Sequence, residues 1–147
     1  MAGRRLETDA DIDDLLARTK RIAVLGIKTE AQRDRPAFTV PAYLARAGFD
    51  VVPVPVYYPE VTTILGRPVY RRLVDIPGDI DLVDVFRRPN DVPGHLDDLL
   101  AKHPHAVWLQ LGIRNDAVAD RLTAEGIDVV QDRCLLVEHR RWLARAL

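Results

Sequence analysis

The chain contains five short apolar runs, which are separated by segments of helical or turn character. The runs span residues 22–26, 51–54, 80–86, 106–111 and 127–130 and are rich in valine, isoleucine and leucine. Runs this short and this apolar are typical of strands that are buried on both faces, as in parallel sheets. Their alternation with helices predicts βαβ units.

Helical spacing and capping residues define the intervening segments. Predicted helices cover residues 8–18, 36–47 and 93–102, a segment from a cap at Asn115 or Asp116 to Glu125, and residues 135–147. Right-handed crossovers then favour an α/β, Rossmann-like, doubly wound parallel sheet in a three-layer sandwich, with strand order 3-2-1-4-5. We expect a single domain over residues 1–147.

Charge and cysteine content exclude several classes of protein. The formal net charge of −1 gives no global attraction to nucleic acid or to an anionic membrane. Cys134 is the only cysteine, so there is no intrachain disulfide, and we predict no metal site. No apolar run is long enough for a signal segment or a membrane span, and we expect a cytoplasmic protein. The absence of serine excludes a serine nucleophile.

Ligands of doubly wound sheets bind at the carboxyl ends of the strands. In this chain those ends lead into residues 26–35, 53–57, 86–89, 110–114 and 131–134. The first segment lacks the second and third glycines of a dinucleotide fingerprint after Gly26, and no carboxylate ends the second strand. Both omissions argue against NAD, and there is no Walker motif for ATP hydrolysis.

The first of these segments is cationic. Lys28, Arg33 and Arg35 lie between a strand end and a helix N-terminus, where unpaired amides and the helix dipole attract anions. One interpretation is a site for a pyrophosphate or a ribose phosphate. The other is an ordinary solvated loop with charged residues.

The later segments offer fewer charges and leave alternatives open. Arg87 and Arg88 follow the third strand and either line a site or pair with Asp84 or Asp91. After the fourth strand come Gln110, Leu111, Gly112 and Ile113, where a glycine permits close approach to a ligand, or simply forms a strand-to-helix turn. Cys134, near the end of the fifth strand, is either a buried structural thiol or a reactive one. No histidine or carboxylate constellation accompanies it, so no catalytic residue is predicted.

Several blocks occur together in one order. They are Ile22-Ala23-Val24-Leu25-Gly26, Val51-Val52-Pro53-Val54, Phe86-Arg87-Arg88-Pro89, Trp108-Leu109-Gln110-Leu111-Gly112 and Asp132-Arg133-Cys134. The chain thereby resembles the small, single-domain CoA-binding protein family, over roughly residues 12–143. That family is in turn similar to the N-terminal CoA-binding domain of the succinyl-CoA synthetase alpha subunit.

The resemblance implies a Rossmann-like fold that binds coenzyme A. It assigns the nucleotide to Gly26, Ile27 and Lys28, and the phosphates to Arg33 and Arg35. It assigns the adenine or ribose side to Pro53, Val54 and Pro55, and the remaining walls to Phe86, Arg87, Arg88 and the segment Gln110 to Ile113. Ala37 and Pro55-Val56 depart from the serine and the Asn-Pro that the family usually has.

The expected function is non-catalytic binding of coenzyme A or an acyl-CoA, a small-molecule ligand. One alternative is a thiol-dependent enzyme or redox protein that uses Cys134 with CoA. A second alternative is an interaction protein whose partner binding depends on the ligand. The sequence identifies no protein partner.

Overall fold

A central sheet of five parallel strands organises the computed structural model, which describes residues 2–147. The strands in chain order are β1 (Arg21–Leu25), β2 (Asp50–Val54), β3 (Thr63–Ile64), β4 (Arg67–Pro68), β5 (Leu82–Val85), β6 (Ala106–Leu109) and β7 (Asp128–Val130). The two-residue strands β3 and β4 form a separate antiparallel hairpin, and the other five form the sheet. Nearly every residue of the sheet is buried, as the apolar runs predicted.

Helices cover both faces of the sheet. They are α1 (Asp9–Ala17), α2 (Pro36–Arg46), α3 (Leu96–Lys102), α4 (Asp116–Ala124) and α5 (Leu135–Ala146). One core lies between the sheet and α1, α2 and α5, and includes Ile12, Leu44 and Trp108. The other lies under α3 and α4, and includes Leu99 and Leu122. The three-layer, Rossmann-like α/β sandwich is therefore confirmed.

The predicted strand order was wrong. The sheet runs β2-β1-β5-β6-β7, so the third strand of the sheet pairs with β1 on the side opposite β2. The connector after β2 explains the difference: β4 packs beside β2, and the Tyr70 N–H donates to the Pro53 carbonyl at 3.0 Å. The connector thus covers the free edge of β2, and the chain enters the sheet again beyond β1. The switch point, where ligands bind in such folds, consequently lies between β1 and β5.

The helix predicted over residues 93–102 starts differently in the structure. A 3-10 helix, Pro89–His95, precedes α3, which begins only at Leu96. Pro89 and Pro93 have no N–H to donate to a regular α-helical ladder, which accounts for the 3-10 geometry. This segment follows directly on Arg88, so its geometry determines how the loop after β5 leaves the sheet.

Candidate functional site

A cavity of about 590 Å³ opens at the carboxyl ends of β1, β5 and β6. Eleven of the sixteen predicted site residues line it: Gly26, Ile27, Lys28, Phe86, Arg87, Arg88, Gln110, Leu111, Gly112, Ile113 and Cys134. The first turn of α2 contributes Pro36 and Ala37 to the same wall. The cavity therefore lies at the switch point and beside a helix N-terminus, where phosphates commonly bind.

Gly26 makes the turn that opens the cavity. Its φ is +87°, a conformation that strains any residue with a Cβ. A Cβ at this position would lie 2.2 Å from the carbonyl oxygen of Phe86. The loops after β1 and β5 thus pass each other in direct backbone contact, which only glycine permits.

A proline in α2 fixes the position of the Lys28 backbone. Pro41 lies inside α2 and has no N–H to donate to the Ala37 carbonyl one turn earlier. The backbone N–H of Lys28 donates to that carbonyl instead, at 3.0 Å. The first turn of α2 and the loop after β1 are therefore tied together across the cavity wall.

Two tyrosines that the sequence interpretation did not select also line the cavity. Tyr57 and Tyr58 follow β2, and their rings meet edge to face with centroids 6.3 Å apart. Lys28 Nζ lies 3.4 Å from Tyr58 Oη, and the Arg87 guanidinium lies 5.5 Å from the centroid of the Tyr57 ring. Adjacent aromatic residues just after a strand end were the available signal. Tyr57 is 60% exposed, so its ring remains accessible in the cavity wall beside these cations.

Arg87 is held in place by the 3-10 helix Pro89–His95, which precedes α3. Its Nε donates to His95 Nε2 at 3.2 Å, and its Nη2 lies 3.6 Å from a carboxylate oxygen of Asp91. Burial, and secondarily the Arg87 charge, lower the pKa of His95, so the ring accepts this bond as neutral imidazole. Of the five cationic residues in the predicted site, Lys28, Arg33, Arg35, Arg87 and Arg88, Arg87 alone forms an ion pair within residues 2–147.

Five predicted residues do not line the cavity. Arg33 and Arg35 are exposed. The Arg33 Nε donates a hydrogen bond to the Glu30 carbonyl at 3.0 Å, and Arg35 is the N-cap of α2. They lie in the loop before α2, next to Pro36 of the cavity wall. Residues Pro53, Val54 and Pro55 are buried, because the Val54 carbonyl accepts the Gly26 N–H and the β3–β4 connector covers β2.

Gln110 connects the cavity to an acidic group inside the sheet. It is almost fully buried, and its Nε2 donates to Asp84 Oδ1 at 2.6 Å. Asp84 has no solvent exposure, and this burial raises its pKa to about 7. Asp84 therefore does not pair with Arg87 or Arg88, which was one of the alternatives for those arginines.

Cys134 stands where this cavity meets a second one. It is the N-cap of α5 and is partly exposed. Cys134 and Leu111 also line a neighbouring cavity of about 520 Å³ at the ends of β6 and β7. His139, although near in sequence, bonds Tyr43 Oη through Nδ1 at 2.7 Å, so no histidine base accompanies the thiol.

The match to known proteins is extensive. Residues 20–140 match the family model described as a CoA binding domain, which is more than half of the chain. The chain belongs to the CoA-binding domain family. This finding agrees with the blocks of sequence that surround the cavity, since Gly26, Arg87 and Gln110 all fall inside the matched residues.

Relatives of this CoA-binding domain match it over nearly their full length. The uncharacterized protein YneT of Bacillus subtilis is 34% identical over 130 residues, which are 88% of this chain and 93% of YneT. The solved structure of cell-free ID.343 from Thermus thermophilus is 39% identical, with a TM-score of 0.84, and the match covers 92% of this chain and 99% of that one. A hypothetical protein from Pyrococcus horikoshii OT3 is 34% identical, with a TM-score of 0.82 and 93% of each chain covered.

Neither a membrane-spanning helix nor a cluster of metal-ligating side chains occurs within residues 2–147. No helix in this range is long and apolar enough to cross a membrane. The same residues contain no group of three or more histidine, cysteine, aspartate or glutamate side chains that could hold a metal ion.

Proposed function

We propose that this protein binds coenzyme A or an acyl-CoA in the cavity between β1 and β5, without catalysing a reaction. The observation that supports the proposal is the set of cationic residues in the cavity wall. Lys28, Arg87 and Arg88 converge at the switch point of a CoA-binding domain, beside the first turn of α2. No side chain caps that turn. Pro36 has no N–H and the N–H groups of Phe38 and Thr39 donate to the Arg35 carbonyl, so the Ala37 N–H is the amide available to a phosphate.

The phosphates of CoA bind to the cationic part of the wall. Lys28 and Arg87 lie on either side of the tyrosine pair, and Arg88 is exposed at the mouth. Arg33 and Arg35 stay outside the cavity and attract the phosphates from the loop before α2. Because arginine presents several N–H groups in a fixed plane, it suits phosphate oxygens better than a point charge does.

The pantetheine arm then runs along the strand ends towards Gln110 and Cys134. This direction follows from the order of the strands, since β5 lies between β1 and β6. Leu111 is 70% exposed and separates the two cavities, so an apolar part of the arm or of an acyl group can pack on it. The thiol end would thus reach the boundary of the second cavity.

Calorimetry on single variants tests the phosphate site. A charge-assisted hydrogen bond contributes about 1.5–3 kcal/mol, so Arg87→Ala is expected to weaken CoA binding roughly ten- to a hundredfold. Arg121→Ala is the matched control, because Arg121 is exposed on α4, away from the cavity. Equal CoA affinity in the parent, Arg87→Ala and Lys28→Ala proteins would contradict the proposal.

A second candidate function is thiol exchange with CoA, and the position of Cys134 in the cavity wall favours it. In this reading the protein would carry CoA as a mixed disulfide. The lack of a histidine base near the thiol weighs against an enzyme, but exchange requires only a thiolate and a disulfide.

A further inference from the structure

Asp84 is an acidic residue in the interior of a sheet whose other charged residues, Arg21, Asp50 and Asp128, are the first residues of their strands. It lies on β5, between Val24 of β1 and Trp108 of β6, and has no solvent exposure. A buried carboxylate without a paired charge is unfavourable, so this residue weakens the core that it occupies. A role other than packing would account for its place in the core.

Gln110 is the one hydrogen-bond partner of the Asp84 side chain within residues 2–147. Its Nε2 donates to Asp84 Oδ1 at 2.6 Å, while Asp84 Oδ2 is enclosed and has no partner. The titratable groups that α2 and α5 contribute to the same layer are Tyr43, Cys134, Glu138 and His139. The carboxylates of α1, which packs on the same layer, pair with arginines at the surface. Tyr43 and His139 bond each other, and Glu138 is held by Arg133 and Arg141. The burial of Asp84 and its bond to Gln110 therefore determine its charge state.

The orientation of the Gln110 amide follows from this contact. An amide carries an acceptor oxygen at one end and two N–H donors at the other, and an ionised carboxylate can only accept. The nitrogen of Gln110 is turned to Asp84, so its oxygen is at the other end. That oxygen is not among the enclosed oxygens without a partner, and Gln110 lines the cavity. The ligand thus meets an acceptor at this position.

We infer that Asp84 is a positioning residue for Gln110, and that its ionised form makes Gln110 present an acceptor to the amide N–H of a bound pantetheine arm. Asp84 Oδ2 has no hydrogen-bond partner, so a proton on this carboxyl is satisfied at Oδ1, where it would donate to the Gln110 oxygen. The amide would then turn over and present N–H groups to the cavity. The identity of the ligand in this inference rests on the proposed CoA function. The orientation of the Gln110 amide is independent of that function.

The inference predicts that the affinity for the ligand increases with pH. A ligand that needs the ionised form of Asp84 binds more tightly as the pH rises through the pKa of that group, which is about 7. At pH 6 about one tenth of the protein is competent, and at pH 8 about nine tenths. The dissociation constant is therefore expected to be about tenfold higher at pH 6 than at pH 8.

Calorimetry with dephospho-CoA tests this dependence. This probe lacks the 3′-phosphate, whose second ionisation near pH 6 would otherwise overlap. Asp84→Asn removes the titrating group, and its dissociation constant should change by less than about twofold over the same range. Asp97→Asn, on the exposed side of α3, should behave as the parent. Any contribution from His95 remains in Asp84→Asn, so the comparison separates the two groups.

Nuclear magnetic resonance of the ligand-free protein supplies a second readout. The side-chain amide signals of Gln110 should shift with a midpoint near pH 7 in the parent and not in Asp84→Asn. Signals that do not titrate in the parent would overturn the inference. A dissociation constant that stays constant from pH 6 to pH 8 would overturn the contact with the ligand. Signals that titrate in a protein that binds no dephospho-CoA at any pH would overturn the proposed function and support the positioning role of Asp84.

Discussion

At the scale of single residues, the missing N–H of Pro41 has a consequence at the ligand cavity. The Ala37 carbonyl, left without a helical partner, accepts the backbone N–H of Lys28 at 3.0 Å. A proline inside a helix normally weakens it, and here the lost bond is replaced by one to the loop after β1. The position of a proposed phosphate-binding lysine is thereby linked to a helix defect ten or more residues away in sequence.

Cys134 gives a prediction that separates binding from thiol exchange. Its thiolate can attack one sulfur of oxidised CoA, which forms a protein–CoA disulfide and releases the other CoA as a thiolate. Because Cys134 lines the ligand cavity, we expect an adduct of one CoA per chain, and no adduct in Cys134→Ala. Intact-protein mass spectrometry after incubation with oxidised CoA measures it.

The control for this exchange is oxidised glutathione, which has no nucleotide to occupy the cationic wall. It should react more slowly than oxidised CoA at equal concentration, and Arg87→Ala should remove most of that difference. A native protein that stays unmodified, while the unfolded chain reacts readily, would leave Cys134 with a structural role only.

At the scale of secondary-structure elements, the crossing of the loops after β1 and β5 requires a glycine. Gly26→Ala would place a Cβ 2.2 Å from the Phe86 carbonyl oxygen and would force a positive φ on alanine. The two effects together are expected to lower the free energy of unfolding by about 2–5 kcal/mol. Urea denaturation measures this loss.

Gly112 is the matched control for that experiment. Its φ of +85° is nearly that of Gly26, but a Cβ there would meet no atom within 4 Å. Gly112→Ala should therefore lower the free energy of unfolding by only about 1–2 kcal/mol. Equal losses in the two variants would mean that backbone strain, and not the contact with the Phe86 carbonyl, makes Gly26 necessary.

Sequence patterns predicted the elements better than their arrangement. The strands were recognisable because both faces of a parallel sheet are apolar. The cap of α4 was predicted at Asn115 or Asp116, and in the structure Asn115 takes this position and accepts the Val118 N–H. The strand order was not, because the hairpin β3–β4 that covers β2 has only two residues in each strand and gives no periodic signal. The start of α3 was missed because Pro89 and Pro93 favour a 3-10 helix.

The candidate site followed the same division. Residues at strand ends, such as Gly26, Arg87 and Gln110, could be selected because topology alone brings them to one edge. Pro53 and Val54 were selected because they lie at a strand end. They are buried in the structure, and their burial depends on the path of the connector, which the sequence pattern does not indicate. Tyr57 ends the predicted strand-end segment 53–57 but was not selected, because an aromatic pair after a strand does not by itself indicate that the Tyr57 ring reaches Arg87.

At the scale of the whole molecule, the charge is nearly balanced but is unevenly distributed. The net charge is −1, yet the cavity wall carries Lys28, Arg87 and Arg88 and no carboxylate. Many of the acidic residues are used elsewhere: Asp50 pairs with Arg21 and Arg67 at the amino ends of the strands. One edge of the sheet therefore carries a local positive charge that attracts anions, although the protein as a whole is not basic.

This arrangement predicts that CoA stabilises the protein far more than NAD does. CoA at a hundred times its dissociation constant adds about 2.7 kcal/mol to the free energy of unfolding, which for a chain of this size raises Tm by roughly 5–10 °C. NAD also carries a diphosphate, but β2 ends in buried Val54 and Pro55 with no carboxylate to hold a ribose diol. We expect NAD at the same concentration to raise Tm by less than about 2 °C in a thermal-shift measurement. Arg87→Ala should lose most of the CoA effect, whereas Arg121→Ala should keep it. A larger shift with NAD than with CoA would mean that the cavity recognises a dinucleotide despite the missing glycines after Gly26.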